Sequence, residues 1–186
     1  MCSRLRELGA HVESADELVR FVQRKESPVL DEIRTRFGLG VIDEAGELDR
    51  AALGRLVFED ADARRDLEAI VHPAIGIELQ KRIAEASATN PNSVIVYDIP
   101  LLVETNRANE FDGVIALACD PEIRGQRLME LRGLSAQEAE SRIAAQATEE
   151  ERIRVADWVV NTEGSLQQTL DQVDAVWAEI LDSSRA

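Results

Sequence analysis

Ser93-Val94-Ile95-Val96-Tyr97-Asp98 decides the class of fold. The run is apolar and β-branched on both parities, enters from the turn sequence Thr89-Asn90-Pro91-Asn92 and ends in an acid. A half-solvated strand alternates apolar with polar residues. A run without alternation suits a strand covered on both faces, the pattern of a parallel sheet. Gly113–Cys119 has the same character, and Asp120-Pro121 opens a helix from about Glu122 behind it. Trp158-Val159-Val160 is a third short strand, and Ala10–Glu13 is a fourth. Helical stretches separate all of them, so the expected class is α/β, a layered parallel sheet flanked by helices.

The helices are read from their punctuation. Arg4–Leu8 ends at Gly9, Ser14 caps a helix over Ala15–Arg24, and Ser27-Pro28 opens one that reaches Phe37. Gly38, Gly40 and Gly46 break the next stretch, before helices at about Asp49–Phe58 and Asp60–Val71. His72-Pro73 is expected to stop that run, with Pro73 starting a long helix to about Ser87. A closing amphipathic helix spans about Ser165–Leu181. The block between Ser27 and Ala88 shows no strand and is expected to stand beside the sheet as a lobe. No repeat, low-complexity tract or long linker divides the chain, so one domain over residues 1–186 is expected.

Composition narrows the function. The 186 residues hold 36 acids against 21 Lys and Arg, a formal charge of −15, which disfavours a uniformly basic nucleic-acid binder or a polybasic membrane anchor. No apolar run approaches the length of a membrane span, so a cytoplasmic protein without a membrane partner is expected. Cys2 and Cys119 form no CxxC, and with only His11 and His72 a zinc or iron site is not expected.

Ligands of open α/β sheets sit beyond the carboxyl ends of the strands. Three places therefore matter. Asp16 and Arg20 lie one helical turn apart just past the first strand. The acid can orient or deprotonate a hydroxyl and the arginine can hold a phosphate, or the two form a surface ion pair. Asp98 ends the most apolar strand. It resembles the Walker B acid that supports Mg²⁺, or it caps the following turn, where Pro100 stiffens the chain and Leu101 and Leu102 read as core. The third place is the arginine series Arg124, Arg127, Arg132, Arg142, Arg152 and Arg154. It is either a helical hairpin that closes over phosphates or a solvated face paired with Glu130, Glu138, Glu140 and Glu149–Glu151. His72 is a base, a substrate contact or a helix-boundary residue.

Together these segments resemble the dephospho-CoA kinase family. The likeness rests on Leu5–Gly9 with Ser14–Arg20, on Gly46–Leu53, and on Val71-His72-Pro73 and Ile99–Glu104. It continues through Arg127, Arg132, Arg142-Ile143-Ala144-Ala145-Gln146, Arg152, Ala156-Asp157 and Asn161, in order over nearly the whole chain. The resemblance implies a three-layer P-loop kinase fold with a helical CoA-binding lobe at about 27–88 and a small lid at about 124–150. It implies transfer of the γ-phosphoryl group of ATP, with Mg²⁺, to the ribose 3′-hydroxyl of dephospho-CoA, the last step of coenzyme A biosynthesis. Asp16 matches the acid that acts on the attacking hydroxyl, and Arg20 its neighbouring substrate arginine. His72 lies in the HP motif near the acceptor. Arg132 matches the lid arginine that approaches the transferring phosphate, and Asn161 lies near the nucleotide base.

Two departures set further expectations. The family's first strand and GxxxxGK[ST] loop do not occur in these residues, and together they would need roughly 15 more positions. Either the chain's start was assigned downstream at an internal methionine, or it is a P-loop-less relative that binds CoA-like ligands; on both readings the polypeptide as given is expected to be inactive in transfer. A neighbouring nucleotide kinase is a third reading, against which the HP motif and helical lobe stand. Ser14 stands where the family usually has Asp.

Overall fold

A computed structural model describes residues 1–183, so the last three positions of the expected domain lie outside the described residues. The chain forms two compact units, one built from residues 10–99 and the other from residues 1–9 with 100–186. Each has the same plan, two parallel strands joined by a helical crossover.

In the 10–99 unit, β1 (His11–Ser14) pairs in parallel with β2 (Ile95–Asp98), with Ser14 opposite Asp98. Between them run α2 (Ala15–Val22), α3 (Pro28–Phe37), α4 (Arg50–Glu59) and α5 (Ala61–Thr89). Local chemistry sets the starts. Ser27 Oγ accepts the Leu30 N–H at 3.1 Å with Pro28 in the first turn. Asp49 Oδ1 accepts from Ala51 and Ala52, at 3.0 and 2.9 Å. The core of this unit gathers Val22, Leu30, Ile33, Val41, Leu53 and Val71. Glu13 is 6% exposed and is satisfied by Arg82 Nη1 at 3.0 Å and His11 Nε2 at 2.9 Å.

The other unit holds α1 (Cys2–Glu7), β3 (Ile115–Ala118), α6 (Pro121–Arg132), α7 (Ala136–Ala144), α8 (Glu149–Arg154), β4 (Trp158–Asn161) and α9 (Leu166–Ser183). β3 and β4 are parallel, and α1 packs on α9 through a bidentate bond from Arg4 to Asp174, 2.7 and 2.6 Å. Gly133 ends α6 at φ 65°, a left-handed position suited to glycine. Gly113 is required for another reason. A Cβ there would lie 2.5 Å from Trp158 Cζ3.

Four expectations change. The helix does not stop at His72-Pro73, because α5 runs unbroken through Pro73. Proline removes one N–H and crowds one carbonyl, at about 3 kcal/mol. Leu67, Ile70, Val71, Ala74 and Ile75, on both sides of it, all pack on the core and hold the helix together. His72 is therefore mid-helix and exposed, not a boundary residue. β2 and β3 are not fully covered on both faces, whereas in β1 the adjacent Val12 and Glu13 are both buried. The residues of β2 are half-buried or exposed, while in β3 the burial alternates and Leu117 is 41% exposed. Each strand pairs with one neighbour among the described residues, which leaves an edge. Leu101, read as core, is 48% exposed in the turn that follows Pro100.

Candidate active site

The 10–99 unit contains a cleft of about 340 Å³ between α2 and α4. Asp16, Val19, Arg20 and Gln23 line one wall, spaced i, i+3, i+4 and i+7 along α2 and its C-terminal cap. Arg50, Leu53, Gly54 and Val57 repeat that spacing along α4 and line the other. Leu48 and Leu67 complete it. A Cβ at Gly54 would meet nothing within 4 Å, so the glycine leaves the wall open. The cleft thus presents one carboxylate, two guanidinium groups and an amide over an apolar lining.

Asp16 and Arg20 share the cleft without pairing. No ion pair joins them among the described residues, and both are exposed, so the surface ion-pair reading does not hold. Both stay available to a ligand. Asp98 closes β2 beside Ser14 in the strand register, and its carboxylate is exposed. His72 does not line the cleft; α5 contributes Leu67 instead. Gln23, Arg50 and Gly54 carry no assignment from sequence reading. The repeated helical spacing on α4 was the signal available for the last two.

The second unit holds the remaining expected residues. Arg132 ends α6, exposed, with no side-chain hydrogen bond or ion pair among the described residues. Asn161 ends β4, where its Oδ1 accepts the Glu163 N–H at 2.8 Å and Gln172 brackets its backbone. That geometry turns the side-chain NH₂ away from the loop bond and leaves its donors unused. Two capping boxes position the short helices. Ser135 and Glu138 start α7, while Thr148 and Glu151 start α8. The Glu104 carboxylate anchors the segment before α8 by accepting the Ala147 N–H at 2.7 Å. Among the described residues, none of Arg124, Arg127, Arg132, Arg142, Arg152 and Arg154 forms an ion pair, while Arg132, Arg142 and Arg154 are solvent-exposed and the charges of Arg142 and Arg154 act on Glu138 and Glu151.

The family model described as dephospho-CoA kinase matches residues 1–168. The chain belongs to the dephospho-CoA kinase family. A dephospho-CoA kinase of Leifsonia xyli subsp. xyli is 46% identical over 178 residues, 96% of this chain and 90% of that protein. One from Symbiobacterium thermophilum is 43% identical over 173 residues, covering 93% and 72% respectively. Among solved structures, TT1252 from Thermus thermophilus aligns with a TM-score of 0.79 at 33% identity over 95% of this chain and 88% of its own. The dephospho-CoA kinase from Campylobacter jejuni, 24% identical with a TM-score of 0.71, shares the fold. The fold is therefore the α/β fold of this kinase family, parallel strands flanked by helices, and the family is one of ATP-using transferases of coenzyme A biosynthesis. No helix among the described residues is long and apolar enough to cross a membrane.

Proposed function

We propose that the α2–α4 cleft takes dephospho-CoA as acceptor for ATP-dependent phosphorylation of its ribose 3′-hydroxyl. The observation that carries this reading is the convergence of unpaired Asp16 and Arg20 on one cleft with an apolar lining. Asp16 accepts the proton of the attacking hydroxyl, a contribution of about 10²–10⁴ in rate. Arg20, with Arg50 facing it, suits the pyrophosphate oxygens of the acceptor, since guanidinium matches phosphate in bidentate geometry. His72 is a further contact for the acceptor along α5. On the other unit, Arg132 serves the transferring phosphoryl group and Asn161 the nucleotide base, each through donors it does not spend internally.

Mg²⁺ is bound by one or two carboxylates together with substrate phosphates and waters, so the donor pair of Asp98 and Ser14 fits a small share in holding it. Bound there, the ion supplies neutralisation of phosphate charge. Ser14 brings a neutral oxygen where an Asp would bring a charge, which leaves Asp98 as the charged donor.

Transfer itself needs a phosphate cradle, and no GxxxxGK[ST] occurs among the 186 residues. A polypeptide limited to these residues binds the acceptor without turning it over; the same residues joined to a phosphate loop transfer. Calorimetry of the chain with dephospho-CoA tests the cleft. Arg20→Ala should weaken binding about tenfold, the value of a charge-assisted bond. Asp16→Asn should bind near normally, and in a chain carrying the phosphate loop it should slow turnover about a hundredfold. No heat with dephospho-CoA removes the cleft from the function, and unchanged turnover in Asp16→Asn removes Asp16 from catalysis. Turnover by the 186 residues alone overturns the expectation that they bind the acceptor without transfer.

A further inference from the structure

Gln23 is a polar residue that the fold buries and then leaves without a task. It is 7% exposed and lines the α2–α4 cleft. Its backbone is occupied, since the N–H closes the last turn of α2 on the Val19 carbonyl at 3.1 Å. Its side-chain amide makes no hydrogen bond among the described residues. Buried polar side chains are almost always paired, because an amide taken out of water without a partner is destabilising. Nor is this amide sealed off, as the partnerless donors of Arg124 and Arg152 are. The small surface that Gln23 keeps includes the amide, and the space it borders is the cleft.

Position narrows what the amide can meet. Asp16, Arg20 and Gln23 follow one another along the cleft face of α2, with Gln23 at the carboxyl end. That end carries the negative pole of the helix, which disfavours an anion beside Gln23 and leaves a neutral partner. A carboxamide offers an acceptor and an NH₂ donor side by side, so its complement is a neutral group with the same pair in reverse. The rest of that lining, Val19, Leu48, Leu53, Val57 and Leu67, is apolar. Ligand pockets draw specificity from a few placed polar groups set in such an apolar wall.

On the reading of the cleft as the acceptor site, on which this inference rests, the order of residues along α2 matches the order of groups in the acceptor. Asp16 meets the ribose hydroxyl and Arg20 the pyrophosphate. Beyond its pyrophosphate, dephospho-CoA continues into an arm that begins with a methyl-bearing carbon and then carries an amide. We propose that Gln23 is a specificity-determining residue that pairs with this amide, the methyl groups lying on the apolar lining. The cleft thereby separates dephospho-CoA from nucleoside diphosphates, which supply ribose and pyrophosphate but no arm. A site whose buried polar group needs a partner rejects the analogue lacking one more strongly than an apolar pocket can.

Titration calorimetry of the full chain tests it with dephospho-CoA, with ADP, which lacks the arm, and with 4′-phosphopantetheine, which lacks the adenosine. The parent should bind dephospho-CoA at least about tenfold more tightly than ADP. Gln23→Met keeps the length of the side chain and removes the amide. It should weaken dephospho-CoA and 4′-phosphopantetheine alike, about tenfold, and leave ADP unchanged. Its ligand-free melting temperature should stay level or rise, because an unpartnered buried amide is gone, and Gln23→Leu should reproduce the binding pattern. Equal affinity of the parent for dephospho-CoA and ADP overturns the proposal, and that comparison needs no variant. Loss shared by dephospho-CoA and ADP but not by 4′-phosphopantetheine puts the amide on the base and also overturns it. Failure of the acceptor reading itself looks different: no heat from the parent with dephospho-CoA, or no weakening in Arg20→Ala, removes that reading and this inference with it. Binding that Arg20→Ala weakens and the Gln23 variants do not overturns this inference alone.

Discussion

Two crossovers, one in each unit, treat a half-buried arginine in opposite ways. On α5, Arg82 donates through Nε to Glu78 at 2.9 Å and through Nη1 to Glu13 at 3.0 Å, with its guanidinium 4.8 Å from the Phe21 ring centroid. Its bond to Glu78 raises it from the ordinary arginine value, burial opposes this, and the bond to Glu13 adds to the rise. On α8, Arg152 makes no such bond among the described residues; burial and Arg124 push it the other way against the weaker pull of Glu149 and Glu104. The first arginine is finished by the fold. The second keeps Nε and Nη2 shielded and without a hydrogen-bond partner among the described residues.

Arg82→Met should break the comparison most severely. It leaves the Glu13 carboxylate buried with His11 as its remaining partner, a loss of about 3 kcal/mol or more. For a chain of this length that lowers the melting temperature by about 6–12 °C in calorimetry or circular dichroism. A fall of under about 2 °C would mean that the pair contributes nothing net. Next, Thr148→Ala removes one half of the capping box that starts α8, at about 1 kcal/mol. Its effect should concentrate in hydrogen exchange of α8, because that helix is what carries Arg152. Uniform loss of protection across the chain would instead make the cap a global element.

A smaller effect is expected where charges are paired but solvent-exposed. Arg4 holds the Asp174 carboxyl below its usual value of 3.8 through the bidentate bond. A depressed folded value contributes stability that is present above the unfolded value and is lost as pH falls through the folded one. The Arg4→Leu variant should therefore melt slightly below the parent at pH 7, and the gap should close on acidification below about 3.8. The gap should also shrink in high salt. A gap that is constant from pH 7 to pH 2 would assign the effect to packing of the arginine stem. Arg152→Met is the smallest expected change and sharpens the contrast, since the melting temperature should not fall at all. A loss comparable to that of Arg82→Met would make the two arginines alike.

Much of the molecule was legible in the sequence because its signals are local. Ser27-Pro28, Asp49 and Asp120-Pro121 mark the starts of α3, α4 and α6 through bonds that span two or three residues. Asp16 and Arg20 share a helix face by spacing alone. The illegible parts depend on distant neighbours. Pro73 signals a helix end by its own chemistry, and core packing on both sides of it overrules that signal. Leu101 is apolar yet exposed, since hydrophobicity states a preference and not a location. The arginine series offered acids in plenty nearby in sequence, and none of them reaches a guanidinium to form an ion pair among the described residues. Glu138 and Glu151 serve as capping acids instead.

The amino-acid order by itself determined the class of fold, the sequence of elements and the family, because strand patterning, caps and motif residues act over short range. Tertiary structure alone decided that Ser14 stands opposite Asp98, that α4 completes a cleft with α2, and that Arg124 and Arg152 keep buried donors unspent. Each of those outcomes requires chain segments far apart in sequence to be brought together. Only packing of the whole core selects which of them meet.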